Sequence, residues 1–258
     1  MTPLIIAHRG DSAHAPENTL AAFRSAIDAG ADGVEFDVRL AKDGVPVVIH
    51  DATLKRTTGL DKRAADLTSA EIQKIDVGSW FNARHPRRAN PEFAGETVPT
   101  LASVLALLSS FDGRVYIELK CGLRSSIPLV DAVAGLLRDS PILPRVIIKS
   151  FRLAAIAEIR HRLPEVQTAA LFNPSILSIL RRRRYIIEMA REFGAQQLSL
   201  HRSLVTPRLV RLARDAGMPV TVWTADNPKW IKQCRKFGIG ALITNDPAKM
   251  LAARDGHR

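Results

Sequence analysis

Eight short apolar runs, separated by stretches of helical periodicity, do most to narrow the folds open to this chain. They fall at residues 4–7, 34–38, 115–119, 145–149, 167–171, 196–200, 219–223 and 241–243. Leu20, Phe23 and Ile27 mark a helix that Gly30 stops, and further helical runs lie near 126–138, 152–162, 175–193, 206–215 and 227–237. Strands that alternate with helices pair in parallel and bury both faces. Eight such units predict an α/β fold, a (β/α)8 TIM barrel, and a chain of 258 residues suits one such domain over 1–258. Thr206-Pro207, Asn227-Pro228 and Asp246-Pro247 each place a capping residue before a proline, which fits the first position of a helix.

The second run carries the chemistry most densely. In Gly33-Val34-Glu35-Phe36-Asp37-Val38-Arg39, apolar and charged residues alternate with the period of a strand. One face is apolar, and the other sets two carboxylates at i and i+2. Inside a protein two adjacent anions need compensation, and a divalent cation is the simplest source of it; on an edge strand the same face would be solvated. Asp43-Gly44 then signals a hairpin that returns the strand-like Val45–Ile49 and delivers His50-Asp51. Residues 52–99 form a polar, irregular insertion after strand 2, for which one small helix is expected behind the capping box Thr68-Ser69-Ala70-Glu71. Thr100 caps a helix bearing Leu101, Val104, Leu105 and Leu108.

Active sites of such barrels sit at the C-terminal ends of the strands. His8 and Arg9 end the first strand, Glu35, Asp37 and Arg39 the second, and Glu118 and Lys120 the third. Lys149 and Ser150 end the fourth, Trp223 and Thr224 the seventh, and His50 ends the hairpin. Glu35, Asp37 and Glu118 would make an all-oxygen site for Mg²⁺ or Ca²⁺. His8 and His50 suit acid and base work near neutrality, and Arg9 and Lys120 suit an anionic substrate such as a phosphate. His14 reads as a solvated loop residue.

The net charge is +11, which raises the chance of an anionic partner without choosing one. Arg181–Arg184 reads as a solvated basic face, with weak contact to an anionic membrane as the functional alternative. No apolar run approaches the roughly 20 residues of a membrane span. Cys121 and Cys234 lie far apart without a spacing motif, and no secretion signal is recognised, so free thiols in the cytoplasm are expected.

His8-Arg9-Gly10, Pro16-Glu17-Asn18-Thr19, Glu35-Phe36-Asp37-Val38, His50-Asp51 and Ile117-Glu118-Leu119-Lys120 together resemble the glycerophosphodiester phosphodiesterase family. Ser150-Phe151 and Val222-Trp223-Thr224 add to the likeness, as do Arg56–Gly59, Gly78–Phe81 and Val98–Leu101 of the insertion. The resemblance runs from about residue 5 to 247. It implies metal-dependent hydrolysis of glycerophosphodiesters to glycerol 3-phosphate and an alcohol. Glu35, Asp37 and Glu118 would be the metal ligands, and His8 and His50 the acid/base pair. Arg9 would contact phosphate, Lys120 would hold the substrate, and Trp223 would line its apolar side, with Asn18 bordering the site. Two departures stand out. Asp226 lies where the family commonly has Asn, and Thr244-Asn245-Asp246-Pro247 only approximates its Thr-Asp ending.

The nearest alternative is a lysophospholipase D-type phosphodiesterase, which a larger apolar pocket near Trp223 or in the insertion would favour. A phosphoinositide-cleaving phospholipase C also pairs two histidines on a barrel, but the Glu-Phe-Asp and Glu-Leu-Lys strands fit it less well. An alternative of another class is a non-enzymatic polyanion-binding protein. Aromatics are 5% of the chain and do not interleave with its basic runs, so no nucleic-acid partner is expected.

Overall fold

The first strand, β1 (Leu4–His8), pairs in parallel with both β2 (Gly33–Leu40) and β9 (Ala241–Thr244), and this double pairing closes a ring. The ring continues from β2 through β4 (Arg114–Leu119), β5 (Val146–Ser150), β6 (Gln167–Phe172), β7 (Gln197–His201) and β8 (Val220–Trp223). One further strand, β3 (Pro46–Val48), lies antiparallel on β2 as the hairpin return, with Pro46 at its edge opposite Leu40. The computed structural model describes residues 2–122, 126–178 and 184–256. Among them, eight parallel strands with helices between form the expected (β/α)8 barrel.

Period-2 alternation sorts each strand into two faces. Val34, Phe36, Val38, Val115, Ile117, Leu119, Val146 and Ile148 point outward into one apolar cluster with the surrounding helices. Phe23 of the helix Leu20–Asp28 meets Phe36 edge-on, with ring centroids 5.4 Å apart. Burying each such side chain stabilises the fold by about 1.5–3 kcal/mol. The inward set, Ile6, Tyr116, Ile147, Ala169, Ala241 and Ile243, fills the lower barrel. Above it the inward positions turn polar. The register pairs His8 with Glu35, Asp37 with Glu118, and Glu118 with Lys149, so the strand ladder itself assembles the site.

After β1 the chain makes a tight turn. Arg9 sits at φ 57°, Gly10 at φ 77° and Asn18 at φ 60°. A non-glycine residue in this left-handed region costs about 1–2 kcal/mol. Backbone bonds from Arg9 N to Glu35 O (2.6 Å) and from Asn18 N to Arg9 O (2.9 Å) hold it there. Gly10 has no alternative, because a Cβ would lie 2.6 Å from the backbone carbon of Ala22. Thr19 caps the following helix, accepting from Ala22 N at 3.2 Å. Asn18 is thereby free to turn inward.

The insertion holds more structure than its polar sequence indicates. In place of one small helix it has three, Lys55–Thr58, Ser69–Ile72 and Ser79–Arg84, together with 3-10 turns. Each is too short for its periodicity to register. Leu54, Ala64, Leu67, Ile72, Val77 and Val98 pack with Ala41, Val47 and Ile49 as a small core of their own. The capping box at Thr68 forms as expected, and Thr100 caps Leu101–Leu107. Later in the chain a 3-10 turn spans Pro174–Ser178 and a helix Arg184–Glu192, while the expected helical stretch between them lies outside the described residues. Arg181–Arg183 fall there too. Arg184 is exposed, its guanidinium 5.2 Å from the Tyr185 ring centroid. One helix opens later than expected, at Lys229, so Pro228 takes the cap position and Asn227, one residue before it, accepts from Lys229 N at 3.0 Å. Among the described residues no helix is long and apolar enough to cross a membrane.

Candidate active site

Glu35, Asp37 and Glu118 meet at the C-terminal mouth of the barrel. Each offers an oxygen within 4.8 Å of the others, and all three residues are buried. Three cations from the chain gather around them. Lys149 Nζ lies 2.6 Å from Glu35 Oε1. Lys120 Nζ bridges Glu118 Oε1 (2.6 Å) and Asp37 Oδ1 (3.3 Å). Arg9 Nε lies 3.2 Å from Asp37 Oδ2, to which Asn18 Nδ2 also donates at 3.1 Å.

The compensation is uneven. Burial opposes ionisation of Asp37, but Lys120 and Arg9 overcome it and hold its carboxyl well below the usual range. Glu35 is likewise held low against burial, by Lys149 and then His8. For Glu118, burial and the charge of Asp37 prevail over Lys120 and push its carboxyl up to about 7. The trio therefore has the donor chemistry of a hard divalent cation site, and at Glu118 the surrounding cations do not offset burial and the charge of Asp37. The residues fit such an ion.

His8 and His50 are anchored differently. His8 Nε2 faces Glu35 Oε2 at 3.9 Å, while Nδ1 lies 2.6 Å from Asn245 Oδ1. Asn245 Nδ2 donates to Asp226 Oδ2 at 2.9 Å, so its amide oxygen is the atom turned to His8. That oxygen only accepts, which puts the His8 proton on Nδ1 and leaves Nε2 as the basic atom. His50 Nδ1 instead rests on the Asp51 carboxylate at 2.7 Å. Burial outweighs nearby carboxylates and lowers both imidazoles below their ordinary value.

A relay of charge joins the two sides. Arg56, from the insertion, donates to Asp51 Oδ2 at 2.6 Å and forks onto both oxygens of Glu17 at 2.9 and 2.7 Å. Glu17 in turn accepts from Arg9 NH1 at 2.8 Å. Burial would raise the Glu17 carboxyl, but Arg56 and Arg9 hold it below its usual range. Arg39, which ends β2, donates to the His50 carbonyl at 2.8 Å.

The structure thus gathers Glu35, Asp37, Glu118, His8, Arg9, Lys120 and Asn18 in direct contact. His50 joins through the hairpin, where Ile49 N binds Asp37 O at 2.9 Å. Trp223 stands to one side, edge-on to Phe151 (5.6 Å) and His201 (5.2 Å), with its Nε1 buried and without a hydrogen-bond partner among the described residues. His14 turns away to Asp11 (2.9 Å). Lys149, Asp51, Arg56, Glu17, Asp226 and Asn245 all lie in stretches that the sequence singles out, but sequence alone assigns none of them a role in the site. Lys149 carries one legible signal: it shares the inward phase of Ile147 in Val146–Ser150, and a lysine inside a barrel needs a partner. The two departures, Asp226 and Asn245, prove to be bonded to each other.

Two clefts leave the mouth on either flank of β2. One, of about 650 Å³, runs past His8, Arg9, Glu17, Arg56, Trp80 and Asp226. The other, of about 920 Å³, starts at Glu118 and Lys120 and runs along the base of the insertion.

The profile of the Glycerophosphoryl diester phosphodiesterase family matches residues 8–249. A glycerophosphodiester phosphodiesterase of Caldanaerobacter subterraneus subsp. tengcongensis is 34% identical over 97% of each chain. A phosphodiesterase of Oleispira antarctica, solved in complex with the product sn-glycerol-3-phosphate, superposes with a TM-score of 0.86 at 29% identity, covering 98% of this chain and 97% of that one. A glycerophosphodiester phosphodiesterase of Agrobacterium tumefaciens gives 0.79 at 29% identity, over 98% of this chain and all of the other. With the family's profile spanning the barrel from the His8 turn to the last helix, this chain belongs to the glycerophosphoryl diester phosphodiesterase family.

Proposed function

We propose that the protein hydrolyses glycerophosphodiesters to glycerol 3-phosphate and an alcohol, with His8 as base and His50 as acid. The observation that carries the assignment is the difference between their anchors. His8 hangs from a neutral amide, which leaves Nε2 as a base turned toward the carboxylate trio. His50 hangs from a carboxylate, which partly offsets the burial that lowers its pKa and steadies the imidazolium whenever Nε2 carries the proton for the leaving oxygen. In this reading His8 Nε2 takes a proton from the nucleophile, either water or the glycerol 2-hydroxyl, whose oxygen forms a new bond to phosphorus. The phosphorus–oxygen bond to the alcohol breaks, His50 returns a proton to the departing oxygen, and on the 2-hydroxyl route a water then opens the cyclic phosphate to glycerol 3-phosphate.

Glu35, Asp37 and Glu118 would hold a divalent ion, Mg²⁺ or Ca²⁺. Such an ion, when bound, offsets charge that builds on the phosphate in the transition state. Arg9 and Lys120 point cationic groups at the same space and would bind the remaining phosphate oxygens. Trp223 brings an apolar ring and an indole N–H that has no acceptor among the described residues, which suits a wall of the substrate site. Both clefts are rich in charged side chains, which supports a water-soluble diester over a lysolipid. Barrel and insertion act here as one catalytic domain, since Arg56 of the insertion completes the relay. Cys121 and Cys234 are both free, which supports a cytoplasmic setting.

The test is a hydrolysis assay on glycerophosphocholine with each cation in turn. Release of glycerol 3-phosphate that stops on chelation is the expected result. Full activity with chelator, or near-normal turnover in both His8→Ala and His50→Ala, removes the proposal.

A further inference from the structure

The larger cleft is unlike the smaller one in charge. Arg39, Lys42, Arg63, Lys120 and Arg152 line it, and Glu118 is its single carboxylate. Glu118 and Asp37 already occupy Lys120. Among the described residues, no carboxylate lies within ion-pair distance of Arg39, Lys42, Arg63 or Arg152. Arg39 donates to the backbone carbonyls of His50 and Lys120, which aligns its guanidinium, while Asp37, Asp51 and Glu118 act on it from beyond ion-pair distance. Lys42 and Arg63 are exposed at the rim, and Arg152 is half-buried where β5 ends. The smaller cleft, in contrast, sets Glu17, Asp226 and Asp246 among its cations. Unneutralised cations around a cleft with low-dielectric walls concentrate the field there and favour an anion in it.

We infer that this cleft receives the alcohol side of the diester and selects alcohols that bear a phosphate or carboxylate of their own. The inference rests on the phosphodiesterase reading of the mouth, since it assigns one arm of that substrate. The two clefts begin at opposite flanks of the carboxylate trio, so a diester centred there extends an arm into each. An arm with its own negative charge gains from Arg63, Arg152 and Lys42. A choline arm, which is cationic, meets the same field as repulsion. Each partly exposed cation contributes roughly a two- to fivefold gain, and together they reach about tenfold.

The matched pair glycerophosphoinositol and glycerophosphoinositol 4-phosphate tests this, with glycerophosphocholine as the third substrate and glycerol 3-phosphate release as the common readout. The expected kcat/KM is about tenfold higher for the 4-phosphate than for its unphosphorylated partner, with the choline ester lowest. Arg63→Glu and Arg152→Glu should each lower the ratio between the pair at least threefold, and 0.5 M salt should compress it. Lys232→Glu, on the exposed face of the helix Lys229–Phe237, makes the same change in net charge far from the mouth and should leave the ratio in place. A ratio within twofold of one overturns the inference, as does an equal loss in Lys232→Glu. Either result leaves the phosphodiesterase reading standing, because turnover itself persists. Absence of turnover on all three substrates with either cation overturns both.

Discussion

Lys149 Nζ and Glu35 Oε1 lie 2.6 Å apart, both side chains at least 98% buried, inside the barrel and one strand removed from each other across β4. Such a pair is favourable only while both partners are present, and removing one costs about 3–5 kcal/mol. Lys149→Met should therefore lower the melting temperature by roughly 10 °C for a chain of this size. The loss should be larger at pH 8 than at pH 5, where Glu35 can take up a proton instead. Saturating Mg²⁺ or Ca²⁺ should restore part of it, read by thermal unfolding with and without chelator. An unchanged melting temperature at both pH values would show that the pair is not formed.

The anchors of the two histidines predict different responses to the leaving group. Each imidazole is expected to supply about 10²–10⁴-fold in rate. With an alkyl alcohol leaving, His8→Ala and His50→Ala should both lose that much. With a nitrophenyl leaving group, which departs without a proton, His50→Ala should recover most of its rate and His8→Ala should not. Recovery in the His8 variant instead would reverse the assignment.

Cation binding should carry a proton linkage. In the absence of an ion, the Glu118 carboxyl is pushed from its ordinary 4.5 up to about 7 by burial and by Asp37. Between those values the folded protein holds a proton that the unfolded chain has lost. The cation-free protein therefore loses stability as pH rises through this window. An incoming ion displaces that proton. Its affinity should climb by up to about tenfold per pH unit below 7 and level off above, by the proton-linkage relation. Calorimetric titration with Mg²⁺ in buffers of different ionisation enthalpy measures both the slope and the proton released. A flat profile from pH 5.5 to 8 would exclude Glu118 as the group concerned.

Arg56 is 43% exposed, yet it ties Asp51 to Glu17 and so the support of His50 to that of Arg9. Solvent screening limits its contribution to folding, so Arg56→Ala should cost no more than about 1 kcal/mol. Misplacing both groups should cost more in catalysis, about tenfold or greater in kcat/KM. Arg56→Lys should recover little, because an ammonium cannot reproduce the fork onto Glu17. Wild-type kcat/KM in the alanine variant would reduce the relay to a surface contact.

Most of the barrel was legible because its strands are short and their apolar phase is strict: Val115, Ile117 and Leu119 out, Tyr116 and Glu118 in. The same phase places Glu35, Asp37 and Glu118 on the inward face from sequence alone. Supports that cross from one loop to another were not legible. His8 and Asn245 are 237 residues apart and meet only because β1 pairs with β9. Arg56 opens a segment that resembles the family's insertion, but its fork onto Glu17 exists only once the insertion has folded over the mouth. Asp226 and Asn245, each out of keeping with the family pattern when taken alone, make sense as a bonded couple.

The hairpin return of β3 has a mechanical meaning. Val48 is laddered to Val38 and Ile49 to the backbone of Asp37, so His50 rides on the same stiff ribbon as that carboxylate. Were the insertion displaced, His50 and Asp37 would travel together as one bracket. Their spacing is thus insulated from whatever the surface loops do on meeting different alcohols.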